Sequence, residues 1–223
     1  LVFFFHSATI RPQQYQQTPS RGWGMRGTLE SLKIATEINA KRMAGLDQEN
    51  LGEADNDSMQ GRIEQLNVSP GGVPKRAIAG GQVTFNGLAG DRWAHPQIHG
   101  GPDQKILMIT AEVIEELQQA GFPVFAGALG ENLTTRGLDR RQFRAGQVYR
   151  VGEALIELTK PRAPCRTLDV YGAGEIQKAI FDARVKARDI TSPRWGMSGF
   201  YARVRQEGRV RTGDEVVLIG DLA

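Results

Sequence analysis

The sequence predicts a mainly β protein with peripheral helices, an α+β arrangement built on a closed or strongly bent sheet. Three observations carry this reading: many short segments alternate apolar and polar residues, few stretches keep helical spacing, and 27 glycines punctuate a chain of 223 residues. A hydrophobic content of 40% and a charged content of 24% suit a water-soluble domain able to bury a proper core. The net charge of +3 is too small and scattered to argue for nucleic acid, and no basic–aromatic platform is visible. A small anionic molecule held by a local arginine cluster fits better. The single cysteine excludes an intrachain disulfide, so a cytoplasmic location is the default expectation.

Residues 1–60 differ in composition from the rest of the chain and are read as an N-terminal extension, partly flexible. The opening LVFFF is far too short to span a bilayer. No basic residue precedes it and no clear small-residue cleavage site comes after it, which gives a signal peptide weak support. Leu1 is not a natural start, which leaves open an upstream piece or a misassigned start, with Met59 as the alternative. QQYQQTPSRGWG (13–24) is polar and flexible in composition. Leu29, Leu32, Ala35, Ile38, Met43 and Leu46 fall near helical spacing and predict a helix over 28–46.

The domain proper, 61–223, opens with a strand in GRIEQLNVS (61–69), succeeded by the glycine- and proline-rich loop SPGGVPK (69–75). RAIA (76–79) and GQVTFNG (81–87) read as two strands of a tight hairpin turning at Gly80-Gly81. A long loop, 88–105, carries Asp91, His95, His99 and Asp103. ILMIT (106–110) is a continuous apolar run, hence a buried strand. Thr110 is placed to cap a helix, AEVIEELQQAG, that Gly121 ends. GALGENLTTRGLD (127–139) reads as a loop and short strand, and QVYRVGEALIELTKP (147–161) as two strands about Gly152-Glu153. A second helix is expected over 175–187, then two β segments within 195–220. No internal repeat is visible.

The chain is organised around KPRAPCR (160–166), which sets Cys165 between two prolines and among Lys160, Arg162 and Arg166. The prolines fix φ and remove donors, so the segment is a stiff extended loop at a strand end. Nearby cations favour a thiolate, which is both a nucleophile and a metal ligand. The plainer alternative is a small, inert core residue.

Three further loops carry polar chemistry: Ser69–Lys75, His99–Asp103 and Gly130–Thr135. His95 and His99 are four apart, but Pro96 and two glycines oppose a helix, and a zinc site needs more ligands than lie nearby. GGPD is also simply a tight turn, with His99 bonded inside the fold. Either Glu131 and Asn132 satisfy turn backbone groups, or Asn132 and Thr134 line a pocket. SPGGVPK could cradle a phosphate with exposed amides and Lys75, although it lacks the Walker spacing.

Taken in order, SPGGVPK, GLAGDRWAHPQIHGGPDQKI, GENLTT, VGEALIELTKPRAPCRTL and GFYARV with the later VRTGDEV resemble the MOSC domain, named for the C-terminal domain of molybdenum cofactor sulfurases. The resemblance spans about residues 61–220 and is closest to stand-alone bacterial members. It implies a MOSC-type β-barrel and a pocket for a molybdenum cofactor, a molybdopterin-type pterin carrying Mo. Cys165 then stands as the catalytic residue and molybdenum ligand. Lys75, Arg162, Asn132 and Thr134 are expected around the cofactor, with His99 and Asp103 shaping the pocket or its mouth. Gln104 departs from an arginine expected after Asp103, so it receives no cofactor contact.

The activity this implies is reduction of N-hydroxylated compounds such as hydroxylaminopurines. Electrons would come from a separate donor protein, because the chain has no flavin, haem or multi-cysteine iron–sulfur motif. The alternatives are a non-catalytic carrier of the cofactor or of a persulfide on Cys165, and a domain with an inert cysteine. The expected partners are therefore a small-molecule substrate and an electron donor, with no nucleic acid or membrane and with a homodimer left open.

Overall fold

The computed structural model describes residues 59–93 and 100–221. The helix expected over 28–46 and the rest of the extension lie outside the described residues, as do His95 and His99.

Seven strands close on themselves. In order around the barrel they are β1 (Gln60–Val68), β6 (Leu133–Arg136), β5 (Ile106–Thr110), β9 (Phe200–Gln206), β8 (Ala154–Pro161), β7 (Gln147–Val151) and β11 (Glu215–Asp221), which returns to β1. All neighbours are antiparallel except β5 and β6. A register shift between Ile63 and Gln65 bends β1, so that Gln60–Arg62 pair with β11 and Leu66–Val68 with β2 (Arg76–Ile78). An extra residue of this kind is what lets a twisted sheet turn sharply enough to close. A second sheet of three strands joins β3 (Gly80–Thr84) to β10 (Gly208–Arg211) and β4 (Gly87–Leu88).

The apolar run of β5 arises from having both faces covered. Ile106 and Met108 enter the barrel interior with Ile63, Leu133, Ile156 and Phe200. Leu107 and Ile109 point the other way, into an outer layer with Val113, Ile114, Leu117, Leu129 and Leu168. Helix α1 (Ala111–Gln119) supplies Val113, Ile114 and Leu117 to that layer, an i, i+1, i+4 stripe, and carries the chain across from β5 to the parallel β6.

Several sequence expectations need correction. The strands expected to turn at Gly80-Gly81 belong to different sheets: β2 adds to β1, while β3 pairs with β10. Gly80 and Gly81 are strand residues, and a Cβ on either would press on Arg211 and Val210 or on Leu88 at 3.0–3.1 Å. Thr110 occupies the N-cap of α1, but its hydroxyl makes no capping bond. It is also the last residue of β5, and strand register directs its side chain. The helix expected over 175–187 is two, α2 (Glu175–Ile180) and α3 (Ala183–Lys186), because Asp182 caps the second by accepting from Val185 N at 2.8 Å. The C-terminal β segments number three rather than two, since β9 and β10 are separate strands in separate sheets.

Candidate functional site

Leu107 on β5 and Tyr201 on β9 are register partners on the outer face of the barrel, between inward-facing Phe200 and Ala202. Over this pair four connections converge: the loop after β1 with Gly72, Val73 and Lys75, the segment after β4 with Arg92 and Trp93, the turn before β6 with Leu129, Gly130 and Asn132, and the loop after β8 with Arg162, Cys165 and Thr167. Gln104 completes the lining. The cleft holds about 680 Å³, including the space at its mouth.

Cys165 is half-buried and sits in extended backbone at the N-cap of a 3-10 helix, Arg166–Tyr171. Its Sγ lies 2.8 Å from Thr167 Oγ1, and its carbonyl accepts from Leu168 N at 3.2 Å and from Gln177 Nε2 at 3.3 Å. Of the three cations near it in sequence, only Arg162 lines the cleft. The Arg166 side chain is 98% exposed and reaches no closer than 3.9 Å to Asp169.

Arg162 is buried at 5% exposure, its backbone N held by Gly199 O at 2.9 Å and its Nη2 by Leu129 O at 2.8 Å. Its Nη1 is buried with no hydrogen-bond partner among the described residues. A guanidinium that donates to one carbonyl and leaves its other nitrogen bare presents charge and directed N–H groups to whatever enters the cleft.

Lys75 is paired inside the protein. Its Nζ lies 2.5 Å from Asp91 Oδ2, with both side chains under a tenth exposed. Burial pushes the ammonium pKa down, with Asp91 opposing that shift. Asp91 also accepts from Ser69 N at 2.9 Å and from Asn132 Nδ2 at 2.8 Å. It therefore ties together three of the converging connections, and breaking one partner of such a buried pair leaves an uncompensated charge.

Asn132 lines the cleft with a side chain already engaged: Oδ1 accepts from Leu107 N at 3.1 Å, and Nδ2 donates to Asp91 and to Asn67 O. Thr134 lies beneath the cleft rather than on it, donating to Glu131 Oε1 at 3.0 Å and accepting from Asn67 Nδ2 at 3.1 Å. Leu133 of β6 faces the barrel interior, so strand alternation puts Thr134 on the opposite face, bonded to Glu131 and Asn67. Asp103 is also outside the lining, ion-paired with Arg203 Nη2 at 2.9 Å. His99 lies outside the described residues.

Glu131 is fully buried. Its Oε1 accepts from Gly127 N at 2.5 Å, while Oε2 has no partner among the described residues. Burial pushes its carboxyl pKa up, with the Gly127 bond and the Arg162 charge opposing. The turn it braces sets the cations: Gly127 O accepts from Lys75 N at 2.9 Å. A Cβ on Gly127, whose φ is +93°, would stand 2.4 Å from Lys75 O, so only glycine allows this approach. Tyr201 is held as the neutral phenol, its pKa raised by burial with Arg162 opposing.

The fold thus brings Cys165, Arg162, Lys75 and Asn132, all named from the sequence, to one cleft, whereas the link that Asp91 makes between Lys75 and Asn132, and the lining by Trp93, Thr167 and Tyr201, were not foreseen. The available signal for Asp91 was a lysine in an apolar setting that needed a counter-charge. Among the described residues no group of three or more His, Cys, Asp and Glu gathers as a metal site.

Comparison with known proteins agrees with this architecture. A family model described as the MOSC domain matches residues 95–217. The uncharacterized protein YflK of Bacillus subtilis (strain 168) is 31% identical over 151 residues, 66% of this chain and 63% of that protein. Protein YiiM of Escherichia coli (strain K12) is 36% identical over 117 residues, 48% of this chain and 52% of that protein. The chain thus spans between half and two thirds of these relatives' lengths. Among solved structures, YiiM from Geobacillus stearothermophilus superposes with a TM-score of 0.56 at 28% identity, over 72% of this chain and 75% of that one.

Proposed function

The chain belongs to the MOSC domain family, and from that premise we propose that it is a molybdenum-cofactor-dependent reductase of N-hydroxylated compounds, hydroxylaminopurines among them. The family is linked to the molybdenum cofactor in general; the substrate and the assignment of residues are our reading. The observation that supports it most is the placement of Cys165 in one cleft with Arg162, whose buried Nη1 lacks a partner among the described residues.

The donor set fits a molybdenum pterin. That group carries an anionic phosphate and a dithiolene, and so asks for cations, amides and one soft ligand. Cys165 offers the thiolate sulfur that a soft site prefers. Arg162 supplies the directed cation, while Lys75 is fixed by Asp91 rather than free to move.

When bound, the cofactor supplies two-electron oxygen-atom chemistry that no side chain here can provide. Overall, R–NHOH, two electrons and two protons become R–NH2 and water, with the electrons coming from a separate donor protein. The chain's own residues hold and shield. Thr167 Oγ1 orients the Cys165 sulfur, Arg162 neutralises anionic charge, and Val73, Leu107 and Leu129 keep the wall apolar.

Protein produced in a molybdenum-competent host should retain molybdenum and reduce a hydroxylaminopurine with reduced viologen as electron source. Cys165→Ser changes volume little, so the fold should survive at a cost of at most a few kcal/mol. Its turnover should collapse, with one fewer sulfur neighbour in the X-ray absorption spectrum of the metal. A serine variant with wild-type turnover and sulfur count removes Cys165 from the site. Wild-type protein that carries molybdenum but reduces nothing is a carrier instead.

A further inference from the structure

Glu131 and Arg162 are both buried, and each keeps one polar atom without a hydrogen-bond partner among the described residues: Oε2 of the carboxyl and Nη1 of the guanidinium. One turn joins them. Leu129 O accepts from Arg162 Nη2 at 2.8 Å, and Glu131 follows two residues later in the chain. The other carboxyl oxygen, Oε1, is already occupied by Gly127 N and Thr134 Oγ1. The Gly127 end of the same turn holds the backbone of Lys75 through its carbonyl at 2.9 Å.

Three elements bring charged or titratable groups to bear on Glu131. The loop after β8 brings Arg162, the loop after β1 brings Lys75, and the 3-10 helix Arg166–Tyr171 brings Tyr171. Lys75 already has Asp91 as its counter-charge at 2.5 Å, and burial holds Tyr171 as the neutral phenol. The one bond of the Arg162 guanidinium among the described residues goes to a neutral carbonyl. Its charge is therefore the one that the state of Glu131 governs. As a neutral acid, which burial favours, Glu131 leaves that charge to the cleft. As a carboxylate it becomes a counter-charge to Arg162 and competes with any anion in the cleft.

We propose that Glu131 is a positioning residue that sets the cleft's affinity for anions through Arg162. Protonated, it leaves Arg162 to the ligand; ionised, it takes Arg162 as its own partner. This rests on the cleft being an anion site, as the proposed function requires, and adds a control by pH. Anion binding and proton uptake are then linked, because an anion at Arg162 favours the neutral acid.

The test is calorimetric binding of sulfate to the cofactor-free full chain across an acid-to-alkaline pH series. Sulfate keeps one charge throughout, so the ligand itself contributes no titration. Wild type should lose affinity as pH rises, by about tenfold if binding moves the Glu131 titration by about one pH unit. Repeating the titration in buffers of different ionisation heat should show a proton taken up with the anion. Glu131→Gln should bind sulfate with a smaller fall and without that uptake. Both proteins carry the same three histidines, so the difference belongs to Glu131. Thr134→Val, which withdraws a bond from Oε1, should move the fall to higher pH and serves if the glutamine variant does not fold. Arg162→Ala should abolish the affinity at low pH. Equal pH profiles in wild type and Glu131→Gln would mean that Glu131 only braces the turn and would overturn the proposal. Failure of wild type to bind sulfate at any pH overturns it too. Gated sulfate binding by a protein that reduces no N-hydroxylated compound keeps the control and overturns the reductase instead.

Discussion

Glu131 has one carboxylate oxygen satisfied by Gly127 and Thr134 and the other buried without a partner among the described residues. Burial raises its folded-state pKa above the usual 4.5. The folded chain therefore holds this proton more tightly than the unfolded chain. The associated stability is complete below the usual value and is lost as pH rises through the raised one. Glu131→Gln keeps an acceptor for Gly127 N and removes the titration. Urea unfolding across an acid-to-neutral pH series should give a wild-type minus variant difference that falls as pH rises; a level difference would show Glu131 ionised alike in both states. The residue scale is also where the sequence was most and least legible. Cys165 and Arg162 stood out because chemistry-bearing residues were crowded into one proline-bracketed loop. Asp91 and Trp93 did not, because an aspartate after Gly90 reads as turn chemistry until Lys75 and Asn132 are brought within 2.8 Å of it. Arg166 was misleading for the converse reason: adjacency in sequence to Cys165 put its side chain into solvent.

At the scale of elements, the cysteine loop is held by the helices on its C-terminal side. Strand β8 continues through Pro161, paired with Phe200 of β9, and the chain then leaves the barrel towards the 3-10 helix Arg166–Tyr171. Leu168 of that helix is fully buried in the outer layer shared with α1 and α2, while Gln177 of α2 donates to the Cys165 carbonyl. Leu168→Ala should cost about 2–5 kcal/mol by denaturant unfolding, the usual range for emptying a well-packed leucine site. It should also make Cys165 react faster with a disulfide reagent in the native state, because the loop loses its anchor. A cost under about 1 kcal/mol with unchanged thiol reactivity would mean that the loop is held elsewhere. Period-two alternation revealed β1, β7 and β8 within a residue or two, because each is covered on its inner face by the barrel core. It could not reveal which strands pair. Gly80 and Gly81 look like turn residues and are strand residues, since both pair with β10, whose Arg211 crowds Gly80 from more than a hundred residues away.

At the scale of the whole molecule, closure decides what the barrel needs. Each of the seven strands finds both neighbours within residues 60–221, so none is left with an unpaired edge waiting for another segment. The junction that completes the ring is β1 with β11, where Gln60 pairs with Val217 and Leu218 N bonds to Met59 O at 3.0 Å. Met59 is partly buried against the barrel core, and Tyr149 Oη lies 3.7 Å from its sulfur. A chain beginning at Met59 keeps every one of these contacts. It should fold to the same barrel, melt within a few degrees of the full chain and retain the same molybdenum content. A chain beginning at Ile63 should fare far worse, because it deletes the three register pairs to β11 and turns a closed sheet into one with two open edges. Thermal unfolding and solubility of the two truncations separate the cases. Loss of soluble protein on cutting at Met59 would show that residues 1–58 are required for this fold.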